Sequence, residues 1–194
     1  MSIALTRRFL ACRLLRLLAM PLLLTAAAAC AQTPAATSPM PPAGAGPQPA
    51  DIPVVLPRSE LVYEAVVELD PTLALGQSPL GERRLVPITG GSFHGPRLKG
   101  KVLAGGADRQ LVRADGARQL DALYEMQTDD GAILTVRNQV LVRTPKGGPD
   151  YRFSHVHITA PAGPHGWLND YVYVGTLHSL RPRQAVLVRV YRLL

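Results

Sequence analysis

Residues Gly90–Gly116 read GGSFHGPRLKGKVLAGGADRQLVRADG. Glycine or proline punctuates every few positions, and the apolar runs between them, 98–103 and 110–114, are short. No helix fits between such breaks, so the stretch predicts tightly turned β-strands.

The same writing continues outward in both directions. Leu61, Tyr63, Ala65, Val67 and Leu69 share one face, with Glu64 and Glu68 on the other. Ala122, Tyr124 and Met126 oppose Asp121, Glu125 and Gln127, while Leu134 and Val136 oppose Thr135 and Arg137. Val186, Val188 and Val190 oppose Arg189 and Tyr191. A period of two with polar outsides predicts antiparallel strands buried on one face. The expected strands span 61–69, 83–88, 91–94, 98–104, 109–114, 118–128, 132–143, 151–159, 170–178 and 184–193, some of which merge. Asp115-Gly116, Asp130-Gly131 and Gly147-Gly148 stand where hairpins need positive φ. The fold class is therefore all-β. A single antiparallel β-barrel of about 8–10 strands is the simplest closure, because it removes exposed edges. A two-sheet sandwich is the alternative. An outer-membrane barrel is disfavoured, since Phe, Trp and Tyr make only 5% of the chain and cannot supply aromatic girdles.

Residues 1–29 read as a signal peptide. Arg7, Arg8, Arg13 and Arg16 precede a leucine-rich run from Leu17 to Thr25, and Ala26–Ala29 follow. Two cleavages compete. Small residues before Cys30 resemble a bacterial lipobox, although Ala27 stands where a bulky leucine is usual. The rival cut follows Ala29-Cys30-Ala31 and would give a soluble periplasmic or secreted protein. The lipoprotein reading is preferred, with Cys30 lipidated, because the chain's other cysteine, Cys12, lies within the signal. Residues 30–57 then form the anchor cysteine and a disordered linker, with eight of the 18 prolines between 31 and 57. The barrel domain is 58–194. The formal charge of +7 overstates the basic character, because four of the 21 Lys and Arg residues lie in the signal. The remaining basic residues scatter along strands, so no nucleic-acid partner is expected.

A run of short matches from 61 to 194 resembles the domain-of-unknown-function 3237 family. It includes Gly81-Glu82-Arg83-Arg84, Gly90-Gly91-Ser92-Phe93, Gly105-Gly106-Ala107-Asp108, Leu120-Asp121-Ala122, Arg137-Asn138 and Trp167-Leu168-Asn169. The resemblance implies a compact antiparallel barrel of lipocalin or avidin type, and no established reaction, cofactor or catalytic residue. Arg109 stands where the family usually has Trp. If that position lines a pocket, the ligand here is more polar or anionic than in most members.

Several residues are candidates for chemistry. Arg109, Tyr124, Arg137, Asn138, Trp167 and Asn169 are the candidate ligand-binding set, converging in the barrel mouth with the aromatics as walls. Asp108 and Asn169 also neighbour loops, where Asx-turns are the plainer explanation. Asp108 and His94 are candidate catalytic groups. His155 and His157 share one strand face and could begin a zinc site, but zinc wants three protein ligands or more. The glycines at 90–91 and 105–106 precede strands, so they suit bends and bulges better than a phosphate cradle. Asp129-Asp130 looks like a solvated turn pair, and no G-x-S-x-G occurs.

These observations lead to an exported, lipid-anchored barrel in the bacterial cell envelope that binds a small molecule or plays a structural role. The alternatives are a cofactor-free isomerase, cyclase or lyase working in the barrel mouth, and a zinc protein through His155 and His157.

Overall fold

The computed structural model describes Pro49 and residues 52–194. The signal segment, Cys30 and most of the 30–57 linker lie outside the described residues. The compact unit runs from Pro53 to Leu194.

Ten strands follow one another: β1 (Ser59–Leu69), β2 (Leu73–Ser78), β3 (Gly81–His94), β4 (Lys99–Val102), β5 (Ala107–Val112), β6 (Arg118–Thr128), β7 (Ile133–Arg143), β8 (Tyr151–Thr159), β9 (Tyr173–Ser179) and β10 (Ala185–Leu193). No α-helix occurs among the described residues; a 3-10 turn spans Gly166–Asn169. Every pairing is antiparallel. β1 pairs with β10 on one side and β3 on the other, which closes the ring. β4 and β5 both bridge β3 to β6 and occupy one wall position between them. β1 and β2 likewise share the position beside β3. The result is an eight-stranded closed barrel.

The expected 83–88 and 91–94 strands are one strand, β3, which bulges beside β1 near Gly90. Gly91 sits there at φ +138, and a Cβ on it would lie 2.0 Å from the Val66 carbonyl oxygen. Only glycine lets the two strands approach so closely. β2 is absent from the sequence expectation. It pairs only with β3, and Leu73 and Leu75 are exposed, so it shows no apolar alternation. The hairpin glycines Gly116, Gly131 and Gly147 all adopt positive φ, as their turns require.

The interior divides into two halves. One end is packed solid by Tyr63, Phe93, Met126, Leu134, Ile158 and Val190. Each such side chain contributes about 1.5–3 kcal/mol of burial free energy. The connection from β8 to β9 plugs this end. Leu168 of the 3-10 turn is fully buried, and the Tyr173 hydroxyl donates to its carbonyl at 3.0 Å. The other end, where the turns 113–117, 144–150 and 180–184 lie, holds a cavity.

Candidate functional site

The cavity has a volume of about 500 Å³, within the range of small-molecule sites. Strand alternation builds its wall in rows. In the deepest polar row, Asp108 of β5, Ala122 of β6 and Asn138 of β7 are register partners. The next row outward carries Gln110, Leu120, Val140 and Ser154. The outermost row carries Arg118, Val142 and Arg152, and Arg84, the register partner of Gln110, enters one row deeper from β3. Leu177, Val186 and Val188 supply the apolar wall opposite. The site is thus apolar along its sides, polar at its depth and cationic at its rim.

Asp108 is 8% exposed and Asn138 2%. Gln110 Nε2 donates to Asp108 Oδ2 at 2.6 Å, but Asp108 Oδ1 and Asn138 Oδ1 have no partner among the described residues. Two buried acceptors without donors are costly to keep. A ligand hydroxyl reaching this row would donate to one of them, and an amino group, with two hydrogens, to both. Burial pushes the Asp108 carboxyl up to about 6, against the opposing effect of the Gln110 hydrogen bond. A carboxyl in this range can both take and give a proton near neutrality. Beneath the row, burial holds the Tyr124 phenol well above its ordinary pKa, so it stays protonated. Ala122 separates Asp108 from Asn138, and its small side chain leaves the space between them to the cavity.

At the rim, Glu82 holds Arg84 at 2.8 Å, Asp150 pairs with Arg152, and Glu68 with Arg183 at 2.7 Å. Arg118 and Arg181 have no ion-pair partner among the described residues.

Of the candidate residues, the fold brings Asp108, Tyr124 and Asn138 to this cavity. It does not bring Arg109 or Arg137 there. Both point outward, because residues adjacent to inward-facing ones occupy the other face of a strand. Arg137 Nη2 instead pairs with Asp121 at 2.7 Å on the outer wall. Trp167 lies at the plugged end, with the Arg97 guanidinium 4.1 Å from its ring centroid. Asn169 clamps the plug. Its Oδ1 accepts from the Ala160 N–H, and its Nδ2 donates to the carbonyls of Ala160 and Gly166. His94 is exposed beside Glu64 on the outer face, so it does not meet Asp108. His155 and His157 share the outer face of β8, and no group of three potential metal ligands gathers among the described residues. Asp130 is not merely solvated: it is tied to His165 at 2.9 Å and accepts from Thr128.

The sequence reading does not single out Arg84, Arg118, Arg152 or Gln110. Their signal was parity. Arg118 is in phase with Leu120, Ala122 and Tyr124, and Arg152 with Ser154, Val156 and Ile158. An arginine in phase with the buried face at a strand's start belongs to a barrel rim.

The family model described as "Protein of unknown function (DUF3237)" matches residues 57–193. The chain belongs to the DUF3237 family. Among curated relatives, a UPF0311 protein of Rhodopseudomonas palustris is 29% identical over 150 residues, covering 70% of this chain and 96% of that protein. A UPF0311 protein of Clostridium acetobutylicum is 38% identical over 87 residues, 44% of this chain and 55% of that one, so the match spans about half of its length. The hydroalkoxylation enzyme phnH of Penicillium herquei is 28% identical over 124 residues, covering 64% of this chain and 76% of its own. Among solved structures, a β-barrel-like protein of Acinetobacter baumannii superposes with a TM-score of 0.67 at 29% identity, covering 73% of this chain and 99% of that one. An enzyme from Penicillium herquei gives 0.61 at 25% identity, covering 74% and 98%. The DUF3237 barrel therefore has an enzyme among its distant relatives.

Proposed function

We propose that this DUF3237 protein is a cofactor-free acid–base enzyme of the isomerase or cyclase type, acting on a small hydroxyl-bearing molecule held in the barrel cavity. The observation that carries this reading is Asp108: a buried carboxyl with a free oxygen, facing Asn138 across an open space. A base at that position takes the proton of a substrate hydroxyl, and its conjugate acid returns a proton to carbon. The relative named for hydroalkoxylation supports the same economy. When a hydroxyl adds across a carbon–carbon double bond within one molecule, the O–H bond and the π bond break while C–O and C–H bonds form. The product is an isomer, and one carboxyl can serve both transfers. Asn138 would orient the hydroxyl, and the dry apolar walls would strengthen both contacts.

The test is to incubate the purified protein in deuterium oxide with a panel of hydroxy-alkenes and hydroxy-carbonyl compounds. Mass-neutral isomerisation or carbon-bound deuterium should appear with the wild type and fall at least a hundredfold in Asp108→Asn. Turnover that survives Asp108→Asn would rule the assignment out. A second reading, a binding protein without catalysis, gains if compounds stabilise the fold yet none is converted.

Export and anchoring through Cys30 to the periplasmic face of a membrane belong to the same proposal. The charged start, the leucine run and the small residues before Cys30 support them. Intact mass of the membrane-extracted protein should show Cys30 acylated at a new N-terminus. An unmodified chain beginning at Gln32 would contradict the anchor.

A further inference from the structure

Resting on the reading of the cavity as a substrate site, we infer that its ligand is an organic carboxylate. Its anionic group meets Arg118 at the rim, its apolar body lies along Leu120, Val140 and Leu177, and a hydroxyl reaches the Asp108–Asn138 row.

Three observations converge on this. The first is charge. Five arginines line the cavity, Arg84, Arg118, Arg152, Arg181 and Arg183, against two acids, Asp70 and Asp108. Glu82, Asp150 and Glu68 neutralise three of the arginines from outside the cavity. Arg118 and Arg181 remain without an ion-pair partner among the described residues. Arg118 is half-buried, and burial, followed by the fields of Arg152, Arg84 and Arg181, depresses its pKa. A guanidinium stays charged regardless. This one therefore sits under repulsion that a bound anion would relieve, and the fork geometry of guanidinium matches a carboxylate.

The second observation is the layering. Between the rim and Asp108 the wall is a band of Leu120, Val140, Leu177 and Val186, with Val86 beside Asp108 in its own row. A small inorganic anion could use the rim but would gain nothing from this band, whereas burying a hydrocarbon body contributes about 25 cal/mol per Å².

The third is spacing. Arg118 and Ala122 are four residues apart on β6, about 13 Å along the strand. Strand side chains stand roughly perpendicular to the sheet, so the two ends of the ligand must cover most of that distance, less a hydrogen bond of about 2.8 Å at each end. A molecule with about two fused rings between its carboxylate and its hydroxyl bridges the remainder. The two orphaned acceptors at the far end require the hydroxyl to donate.

Isothermal calorimetry with three probes tests the inference on the full chain: 6-hydroxy-2-naphthoate, its neutral carboxamide, and inorganic phosphate. The naphthoate should bind about tenfold more tightly than the amide, the value of one charge-assisted hydrogen bond. Arg118→Gln should remove that difference and leave the amide's affinity unchanged, while Arg118→Lys should keep most of it. Circular dichroism melting of each variant confirms that it is folded. Phosphate should compete only weakly, because it has no body to bury. Equal affinity for naphthoate and amide would overturn the inference. So would loss of both in folded Arg118→Gln, phosphate competing as well as the naphthoate, or no naphthoate binding at millimolar concentration. Naphthoate binding by a protein that converts nothing in the isomerisation panel would sink the catalytic reading alone.

Discussion

Asp108 and Asn138 occupy the same row of the barrel wall, each paired in register with Ala122 between them. Two strand spacings put their backbones about 10 Å apart. Both side chains project inward from there, so their orphaned oxygens border one space that only a residue as small as alanine leaves open. A buried carboxyl without an ion-pair partner is a poor way to stabilise a fold, and its presence here reads as cost accepted for function.

That cost is measurable. The folded pKa of Asp108, about 6, lies above its ordinary value of 3.8. The folded state thus binds this proton more tightly than the unfolded chain does, and the group's contribution to stability falls as pH rises from about 4 to 6. Asp108→Asn should be more stable than the wild type by about 2–3 kcal/mol at pH 8, with the difference vanishing below pH 4. Asp121, Asp130 and Asp150, whose pKa values are lowered, shift stability the opposite way in both proteins and cancel in the comparison. Urea titrations at four pH values suffice. Identical curves at pH 8 would show that the carboxyl is not penalised by burial.

Ala122→Leu should close the space between Asp108 and Asn138. Ala122 lines the cavity and also packs against the core beneath it, so the added carbons should lower stability by about 1–3 kcal/mol and leave the protein folded. Hydroxynaphthoate affinity should fall at least tenfold by calorimetry. Unchanged affinity would mean that ligands do not reach this row.

Asn169 should matter for folding and not for binding. Its three hydrogen bonds hold the 160–169 plug together. Asn169→Ala should lower stability by about 1–2 kcal/mol in urea and leave ligand affinity untouched.

Arg137 should matter for neither. Its side chain is 53% exposed in an outer-face ion pair, a kind of contact worth under about 1 kcal/mol. Arg137→Ala should therefore be near-neutral in both assays, in contrast to Arg118→Gln. A tenfold loss of ligand affinity in Arg137→Ala would place the binding site on the outer wall.

The contrast between Arg137 and Asn138 shows what could be read in the chain before any coordinates. Leu134 and Val136 announce the inner face of β7, and counting by twos puts Asn138 inside and Arg137 outside. The same count places Tyr63, Tyr124 and Arg118 correctly. What it cannot supply is closure. That depends on Ser59 meeting Leu193 and on Leu69 meeting Ile88, pairings between residues whose separation in sequence leaves no local trace. β2 stayed hidden because it lies at an edge with both faces wet. The cavity stayed hidden too, since side-chain identity alone does not reveal which half of a barrel fails to fill. The plug residues Leu168 and Tyr173 decide that, by stoppering one end from a loop.

A barrel stoppered in this way is a flask with a single neck. Whatever visits Asp108 must come and go past the same guanidinium collar, so arrivals and departures take turns. If conversion leaves the visitor's charge unaltered, the collar grips product as firmly as substrate. The slow step of such a vessel would then be emptying it.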